Sequence, residues 1–270
     1  MELSTQLANN ALKALLYEVD VQPKPGLVDP VDHSTHLDMD VFTFIDSAVS
    51  LRPYFEQFAQ AGIDFDGEDL TDLFKVIRPI GVEAEKAMFK ATFDVNTHKG
   101  AIFSLGILLA ATGYDREHVR EVSMKMLKGL TENDFKDLDK KKKLTNGEKM
   151  YLKYGITGIR GEAESGYPVV FEKALPFLKE HFGNSFGHAL LDTLMVIISN
   201  SYDSNVVKRG NLDSLKNIQA YALSILNVGG CSSSDGQELL DDMNSYCNEN
   251  NLSLGGSADL LIITIYLFLI

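Results

Sequence analysis

Two short polar segments of the chain repeat one order of side chains. Residues 94–100 and residues 203–210 both read Asp-x-Asn, then two further residues, then a cation or cation pair and a glycine. A carboxylate can hold a metal ion, a lysine can meet a phosphate, and a glycine lets the backbone come close to a ligand. The spacing therefore predicts an enzyme that acts on a phosphorylated, nucleotide-like substrate.

Three loops add polar side chains that a plain helical bundle would not need. The first loop, residues 23–29, carries Lys24 and Asp29 in the sequence Pro-Lys-Pro-Gly-Leu-Val-Asp. Its two prolines and its glycine stiffen the backbone, so the loop is suited to presenting a site. A simple connection between two helices is the alternative.

The second and third loops hold candidate ligands of different kinds. In residues 32–40, the side chains of His36, Asp38 and Asp40 could ligate a metal, or Asp38 could only cap the following helix. In residues 158–168, glycines on either side of Arg160 and Glu162 would allow close approach to a ligand.

Weaker signals occur nearer the carboxyl end. Glycines and serines precede an acid at two predicted helix starts, residues 229–236 and 255–259. Helix capping is the default explanation, and a phosphate cradle of backbone N–H groups is the alternative. His188 and Asp192 lie four positions apart on one helix face, where a satisfied core pair is expected.

Helical periodicity dominates the segments that must position these loops. It predicts a single all-α, compact domain over 1–270, with the apolar helices 101–111 and 189–198 at its centre. The predicted helices cover 3–18, 41–61, 68–92, 97–112, 115–130, 146–154, 170–181, 185–200, 212–226, 235–249 and 257–270. Glycines such as Gly62 and Gly113 are expected to mark helix ends. The basic run 139–143 is interpreted as a solvated loop, with a mobile loop over a phosphate site as the alternative.

Composition restricts the class of partner. The chain has 25 Lys and Arg against 38 Asp and Glu, a net charge of −13, which argues against nucleic acid or an anionic membrane. An anionic substrate would then need magnesium and a few well-placed cations. The phosphate-loop, dinucleotide-binding and nucleophile-elbow glycine motifs are absent from the sequence. Two cysteines, no signal-peptide pattern and a final apolar run too short for a membrane span predict a soluble cytoplasmic protein.

Taken together, the polar blocks resemble those of the triphosphoribosyl-dephospho-CoA synthase family. Its members build the prosthetic-group precursor of citrate lyase and malonate decarboxylase. The similar blocks stand in order from residue 18 to near the end of the chain. They are Glu18-Val19, Pro23 to Asp29, His36-x-Asp38-Met39, Asn96 to Phe103, Gly161-Glu162-Ala163 with Gly166-Tyr167-Pro168, Asp203-x-Asn205-Val206 with Arg209-Gly210, and Gly255 to Leu261.

The resemblance implies an unusual transferase reaction. ATP would donate its triphosphoribosyl group, adenine would leave, and ribose C1′ would join the 2′-hydroxyl of 3′-dephospho-CoA. Because the family's product has an α-linkage and ATP is a β-nucleoside, a single displacement through an oxocarbenium-like state is favoured. Such a site needs a carboxylate that takes the hydroxyl proton, protonation or hydrogen bonding of the departing adenine, and a triphosphate clamp.

The sequence supplies candidates for these roles. Magnesium is the expected cofactor, with Asp94, Asp203 and Asp38 as its ligands. Glu162 is expected to be the base, with Asp29 as its rival and Asp203 as a further catalytic candidate. The residues expected to bind ATP and its phosphates are Lys24, Asn96, His98, Lys99, Gly100, Arg160, Asn205, Lys208 and Arg209.

Other readings stay open on residue types alone. A magnesium-dependent all-α nucleotide hydrolase or nucleosidase would use the same carboxylates on water and would need no second substrate. A non-catalytic helical module that binds nucleotide or CoA would need no turnover. For the synthase, the family implies a downstream transferase, an acyl carrier subunit of citrate lyase and a possible homodimer as partners.

Overall fold

The computed structural model describes residues 2–141, 144–183 and 185–270, and this part of the chain is all helical, as predicted. Among these residues no β-strand occurs. In chain order the α-helices are α1 (Leu3–Asp20), α2 (Val41–Ile63), α3 (Leu70–Ala91), α4 (Lys99–Tyr114), α5 (Val119–Met126), α6 (Leu130–Asp134), α7 (Asn146–Tyr154), α8 (Gly158–Glu164), α9 (Leu175–His181), α10 (Phe186–Asn200), α11 (Ser204–Arg209), α12 (Leu212–Asn227), α13 (Ser234–Glu249) and α14 (Gly255–Leu269). A 3-10 turn covers Leu138–Lys140, and a π-helical turn, Val170–Ala174, leads into α9.

Three helices that are apolar on nearly every face form the centre of the molecule. The prediction of central helices is confirmed for α4 and α10, and α14 joins them. Since a helix without a polar face must be covered on all sides, other helices surround these three. Helix α14 packs against α1, α4 and α10, and thereby joins the first helices of the chain to the later ones.

Glycines near two helix ends serve the packing of α2 against α4. A Cβ atom at Gly62 would lie 2.0 Å from the carbonyl oxygen of Ala110, and one at Gly113 would lie 2.3 Å from that of Ala59. Both glycines stand close to the end of a helix, as predicted. Their contacts show a further reason for the residue type, which is the close approach of two backbones.

The structure differs from the predicted helix pattern in the short elements. The segments 158–168 and 203–210 were expected to be loops, yet they contain α8 and α11. The expected helix 115–130 is divided, because Gly129 adopts a left-handed conformation with φ +78° between α5 and α6. Helices of five to eight residues carry too few periodic positions to be predicted from sequence.

The basic run 139–143 lies partly outside the described residues, since Lys142 and Lys143 are not among them. Within the described part, Lys141 pairs with Glu148 at 2.6 Å. None of the described helices combines the length and the apolar character that crossing a membrane requires.

Candidate active site

One large cleft, of about 1450 Å³, collects most of the polar segments that the sequence singles out. Apart from a few residues of the earlier helices and loops, such as Glu18, His36 and Glu85, its walls come from four stretches of the chain. They are the residues 96–100 before and at the start of α4, the segment 144–165 with α7 and α8, the residues 201–209 with α11, and the start of α14. The two repeated Asp-x-Asn segments therefore meet across one cleft, although they lie far apart in sequence.

The predicted site residues divide according to this cleft. Those that line it are Asn96, His98, Lys99, Gly100, Arg160, Glu162, Asp203, Asn205, Lys208 and Arg209. Four others, Lys24, Asp29, Asp38 and Asp94, are not among the residues that line it.

The buried residues Lys24 and Asp29 stiffen the loop that follows α1. The ammonium group of Lys24 donates to the side chain of Glu18 at 2.5 Å and to the Glu18 carbonyl oxygen at 2.6 Å. Asp29 accepts from the backbone amides of Lys24, Val31 and Asp32, each at 2.8 Å. The Lys24 ammonium group is therefore held by Glu18, which lines the cleft, and both oxygens of Asp29 are occupied.

The three acids predicted to bind magnesium are not brought together. Asp94 and Asp38 are exposed and lie outside the lining of the cleft, whereas Asp203 is buried within it. Across the described ranges, no group of three or more His, Cys, Asp or Glu side chains is placed to hold a metal ion. The arrangement therefore does not fit a magnesium ion held by these three acids, and no step is assigned to one.

Asp203 joins the starts of two helices at the floor of the cleft. Its Oδ1 accepts from the Asn205 amide at 2.9 Å at the start of α11. Its Oδ2 accepts from the Ser257 amide at 2.8 Å and from the Ser257 hydroxyl at 2.9 Å at the start of α14. Burial raises the pKa of Asp203, although these hydrogen bonds favour the charged form.

Glu162 lies on α8 and is partly buried in the wall of the cleft. Its Oε1 accepts from the Val169 amide at 3.0 Å. Burial raises the pKa of Glu162, and the hydrogen bond from Val169 and the charge of Arg120 partly oppose that rise. A carboxylate whose pKa is raised takes up a proton more readily, which suits a general base.

His98 is 1% exposed and is held as a neutral ring. The Thr97 hydroxyl donates to the Ser47 hydroxyl at 2.7 Å, and Ser47 in turn is 2.7 Å from His98 Nδ1, which places the hydrogen of the ring on Nε2. Burial and the charge of Lys24 lower the pKa of His98 to about 3. The ring can thus donate one hydrogen bond but cannot neutralise a phosphate as a cation, which was its predicted role.

The cationic side chains that line the cleft differ in whether they form an ion pair with an acidic residue. Lys99 pairs with Glu85 at 2.6 Å, and Arg160 pairs with Asp134 at 2.7 Å. By contrast, Lys149 and Lys208 are exposed and have no ion-pair partner among the described residues. These two lysines are the side chains most available to a polyphosphate.

Arg209 lines the cleft and is hydrogen-bonded to the loop 32–40. Its guanidinium donates to the Thr35 carbonyl oxygen at 2.9 Å and lies 3.4 Å from His36 Nδ1. The other ring nitrogen of His36 is 3.1 Å from the Ser253 hydroxyl. His36 lines the cleft, but burial and the charge of Arg209 lower its pKa, so a cationic role is disfavoured.

Sequence reasoning missed Glu18 and Asp259 as cleft residues with a possible chemical role. Both line the cleft, and the charges of Glu18 and Asp203 act on Asp259. Asp259 was interpreted as a helix-start acid, yet it lies in the second turn of α14 and faces the start of α4. The signal that could have identified it is its isolation, because it is the one charged residue of an otherwise apolar helix.

Comparisons with known proteins give one matching family model and several similar relatives. The family model described as ATP:dephospho-CoA triphosphoribosyl transferase matches residues 4–270. No solved structure matches the chain.

Three relatives illustrate the similarity. A probable 2-(5''-triphosphoribosyl)-3'-dephosphocoenzyme-A synthase of Lactiplantibacillus plantarum is 50% identical, over 97% of this chain and 95% of the relative. A protein of the same description from Vibrio cholerae is 40% identical, over 94% of this chain and 84% of the relative. Protein CitXG of Leuconostoc mesenteroides is 43% identical over 97% of this chain, which spans only 58% of that longer protein.

Proposed function

Because the chain belongs to the ATP:dephospho-CoA triphosphoribosyl transferase family, we propose that its cleft transfers the triphosphoribosyl group of ATP to the 2′-hydroxyl of 3′-dephospho-CoA. Adenine is the leaving group, and the product is 2'-(5''-triphosphoribosyl)-3'-dephospho-CoA. The bond that breaks is the glycosidic bond between adenine N9 and ribose C1′, and the phosphates stay intact.

The observation that supports the proposal most is the division of charge within the cleft. Free cations, Lys149 and Lys208, are available to a triphosphate, while partly buried or buried carboxylates stand among residues from α1, α8, α11 and α14. A triphosphate needs cations, and a displacement at C1′ needs carboxyl groups that exchange protons. Both requirements are met in one cleft.

Glu162 is the proposed base that takes the proton of the acceptor hydroxyl. It lines the cleft, and burial raises its pKa above the ordinary range of a glutamate. Asp29, the rival candidate, is bonded to three backbone amides and lies outside the lining. Asp203 is proposed to position α11 and α14 instead, since its oxygens accept from both helices.

Phosphate binding is proposed for Lys99, Arg160, Lys208 and Arg209, with Lys149 as an addition to the predicted set. Asn96, Gly100 and Asn205 line the same cleft and are proposed as further contacts of ATP. Magnesium is proposed as part of the substrate Mg-ATP. This ion keeps several waters and is commonly held through the phosphates and only one or two carboxylates.

The wider setting follows from the family and the composition. We propose a cytoplasmic location, a separate transferase that uses the product, an acyl carrier subunit as final acceptor, and a possible homodimer. The hydrolase and binding-module alternatives are disfavoured because the family match covers residues 4–270.

The proposal is tested by mass spectrometry of ATP and dephospho-CoA incubated with the wild-type chain and with Glu162→Gln. The wild type is expected to form the coupled product, and the variant is expected to lose about 100-fold or more in rate, a typical value for a general base. Glu164→Gln is the matched control, because Glu164 lies on the same helix but its carboxylate accepts from Gly129 and Thr131. Near-wild-type turnover by Glu162→Gln would remove Glu162 from its role, and free adenine without coupled product in the wild type would overturn the transferase.

A further inference from the structure

Asp259 is a lone charge in an apolar helix, and it lies against the start of another. Its carboxylate is packed on the Cα atom of Gly100, where an added Cβ would lie 1.9 Å from Asp259 Oδ2. The backbone of Ala101, in the first turn of α4, hydrogen-bonds to the carboxylate. Among the described residues, Asp259 has no other hydrogen-bond partner, so part of the group is left for a ligand.

The surroundings of Asp259 are poor in positive charge. Glu18 at the end of α1 and Asp203 at the start of α11 both repel a negative charge on Asp259. Two cations of the neighbouring segments are engaged elsewhere, because Lys24 is bonded to Glu18 and Lys99 is paired with Glu85. Two like charges close together cannot both ionise at low cost, so this part of the cleft favours a neutral, protonated acid.

Two buried polar atoms of the same cleft also lack partners. His98 Nε2 and the hydroxyl of Ser201 line the cleft, and neither has a hydrogen-bond partner among the described residues. His98 is 1% exposed and Ser201 is 7% exposed. Buried groups of this kind are normally satisfied, so their state indicates a ligand with its own donors and acceptors, as a purine base has.

We propose that Asp259 is the catalytic acid that gives a proton to the departing adenine. The inference rests on the proposed function, in which this role has no residue assigned to it. Glu162 then acts as the base on the acceptor, and the two carboxyl groups perform opposite halves of one displacement.

The step balances in atoms and charge. The bond between adenine N9 and ribose C1′ breaks, and its electron pair goes to the purine ring. The proton of the Asp259 carboxyl group goes to a ring nitrogen of the base, so adenine leaves as a neutral molecule. The 2′-oxygen of dephospho-CoA forms the new bond to C1′, and its proton goes to Glu162. Exchange with solvent returns each carboxyl group to its starting state.

Other groups in the cleft are less suited to donate this proton. Both oxygens of Asp203 accept hydrogen bonds from backbone and hydroxyl donors, which favours its carboxylate form. His98 is neutral and carries only an N–H that it would not release. Once Asp259 has given up its proton, the Ala101 amide and the amino end of α4 stabilise the carboxylate that forms.

The pKa direction agrees with this geometry. Burial and the charges of Asp203 and Glu18 raise the pKa of Asp259 well above its ordinary range, whereas Arg120 and the Val169 amide restrain the rise at Glu162. The environments of the two acids thus separate donor from acceptor.

The test compares two donors whose bases differ in their need for a proton. Adenine needs one, whereas a nicotinamide riboside 5′-triphosphate releases its base as a neutral pyridine without one. With ATP, Asp259→Asn is expected to lose about 100-fold or more in kcat, which is the usual contribution of a general acid. With the pyridinium donor, the loss should be less than about threefold, because no proton is needed there. Glu162→Gln should lose activity with both donors, since the acceptor hydroxyl is common to them.

Asp192→Asn is the matched control. Asp192 is also the lone acid of a largely apolar helix, accepts a backbone amide (Cys231, 2.7 Å) and packs on a glycine (Gly230), but it does not line the cleft. Asp192→Asn should lower kcat only slightly, and by the same factor with both donors.

A pH profile provides the second readout. The wild-type kcat with ATP should fall at alkaline pH as Asp259 loses its proton, and Asp259→Asn should lack that limb. Equal losses with both donors, or full activity of Asp259→Asn with ATP, would overturn the assignment, as would an unchanged alkaline limb in the variant. If the wild type makes no coupled product from ATP, the proposed function itself is wrong, whatever the variants do.

Discussion

Environment, more than residue type, decides what each acid of the cleft can do. Asp203 and Asp259 are both aspartates of the same cleft, yet Asp203 is hydrogen-bonded to Asn205 and Ser257, whereas Asp259 accepts a hydrogen bond from the Ala101 backbone and packs on Gly100. A carboxylate whose two oxygens both accept hydrogen bonds can position helices. A carboxyl group that has an unused hydrogen-bonding position and lies near other negative charges can carry a proton. In the same way, Glu162 accepts one backbone hydrogen bond and lines the cleft, whereas Asp29 accepts three and does not line it.

The raised pKa of Asp259 predicts a stability effect with a defined sign. The native state holds a proton on Asp259 that the unfolded chain releases above about pH 4, so stability is lost as pH rises from there towards the native pKa. Asparagine keeps an acceptor for the Ala101 amide and carries no charge against Glu18 or Asp203. Asp259→Asn should therefore unfold at a higher temperature than the wild type at pH 8, with the difference shrinking towards pH 4.

Thermal unfolding followed by circular dichroism from pH 4 to pH 8 measures this difference. For a chain of this size, each 1 kcal/mol corresponds to about 2–4 °C. A variant that is less stable than the wild type at pH 8, or a difference that does not vary with pH, would contradict the prediction.

Residue types predicted the blocks that contribute to the cleft but not the partners of each side chain. The sequence singled out Glu162, Lys208 and the start of α4, all of which line the cleft. It could not predict that Lys24 is bonded to Glu18, because burial is a property of the folded core. For the same reason, Asp259 looked like a helix cap.

At the scale of elements, the active cleft depends on how closely α4 and α14 approach. Gly100 stands at the start of α4, where only a hydrogen leaves room for the Asp259 carboxylate. The long helices were predictable because their apolar periodicity is strong. The short helices α8 and α11 were not, since tertiary packing rather than propensity stabilises them.

Gly100→Ala is expected to displace Asp259 and to lower the transfer rate about tenfold or more while the fold is kept. The added Cβ would overlap Asp259 Oδ2, whereas alanine itself favours a helix by up to about 1 kcal/mol over glycine. Turnover and thermal unfolding of the same preparation measure the two effects separately. Gly81→Ala in α3 is the matched control, because the nearest atom to its Cβ, Phe58 Cζ, is 3.9 Å away.

A double variant checks that the effect passes through Asp259. In an Asp259→Ala background, Gly100→Ala should add little further loss. If it removes activity there by the same factor as in the wild type, the contact between the two residues does not explain the loss.

At the scale of the whole molecule, a single cleft draws on segments spread from α1 to α14. Apolar helices at the centre hold these segments at fixed positions, and many polar groups of the cleft stand near helix ends. The all-α class and the central helices were predictable from hydrophobic patterning. The meeting of residues 94–100 with residues 203–210 followed only from the family resemblance and the fold, since spacing alone cannot bring distant segments together.

A transferase and a nucleotide hydrolase would share this architecture and differ in what attacks C1′. In the transferase, the acceptor hydroxyl supplies both the nucleophile and the proton for Glu162, so adenine release depends on dephospho-CoA. In a hydrolase, water does both, and the acceptor is irrelevant.

The most direct measurement is the amount of adenine released from ATP by the wild-type chain, with and without 3′-dephospho-CoA, alongside the coupled product by mass spectrometry. We expect one adenine for each molecule of 2'-(5''-triphosphoribosyl)-3'-dephospho-CoA, and no sustained release without the acceptor. Adenine released at the same rate without dephospho-CoA would contradict this expectation.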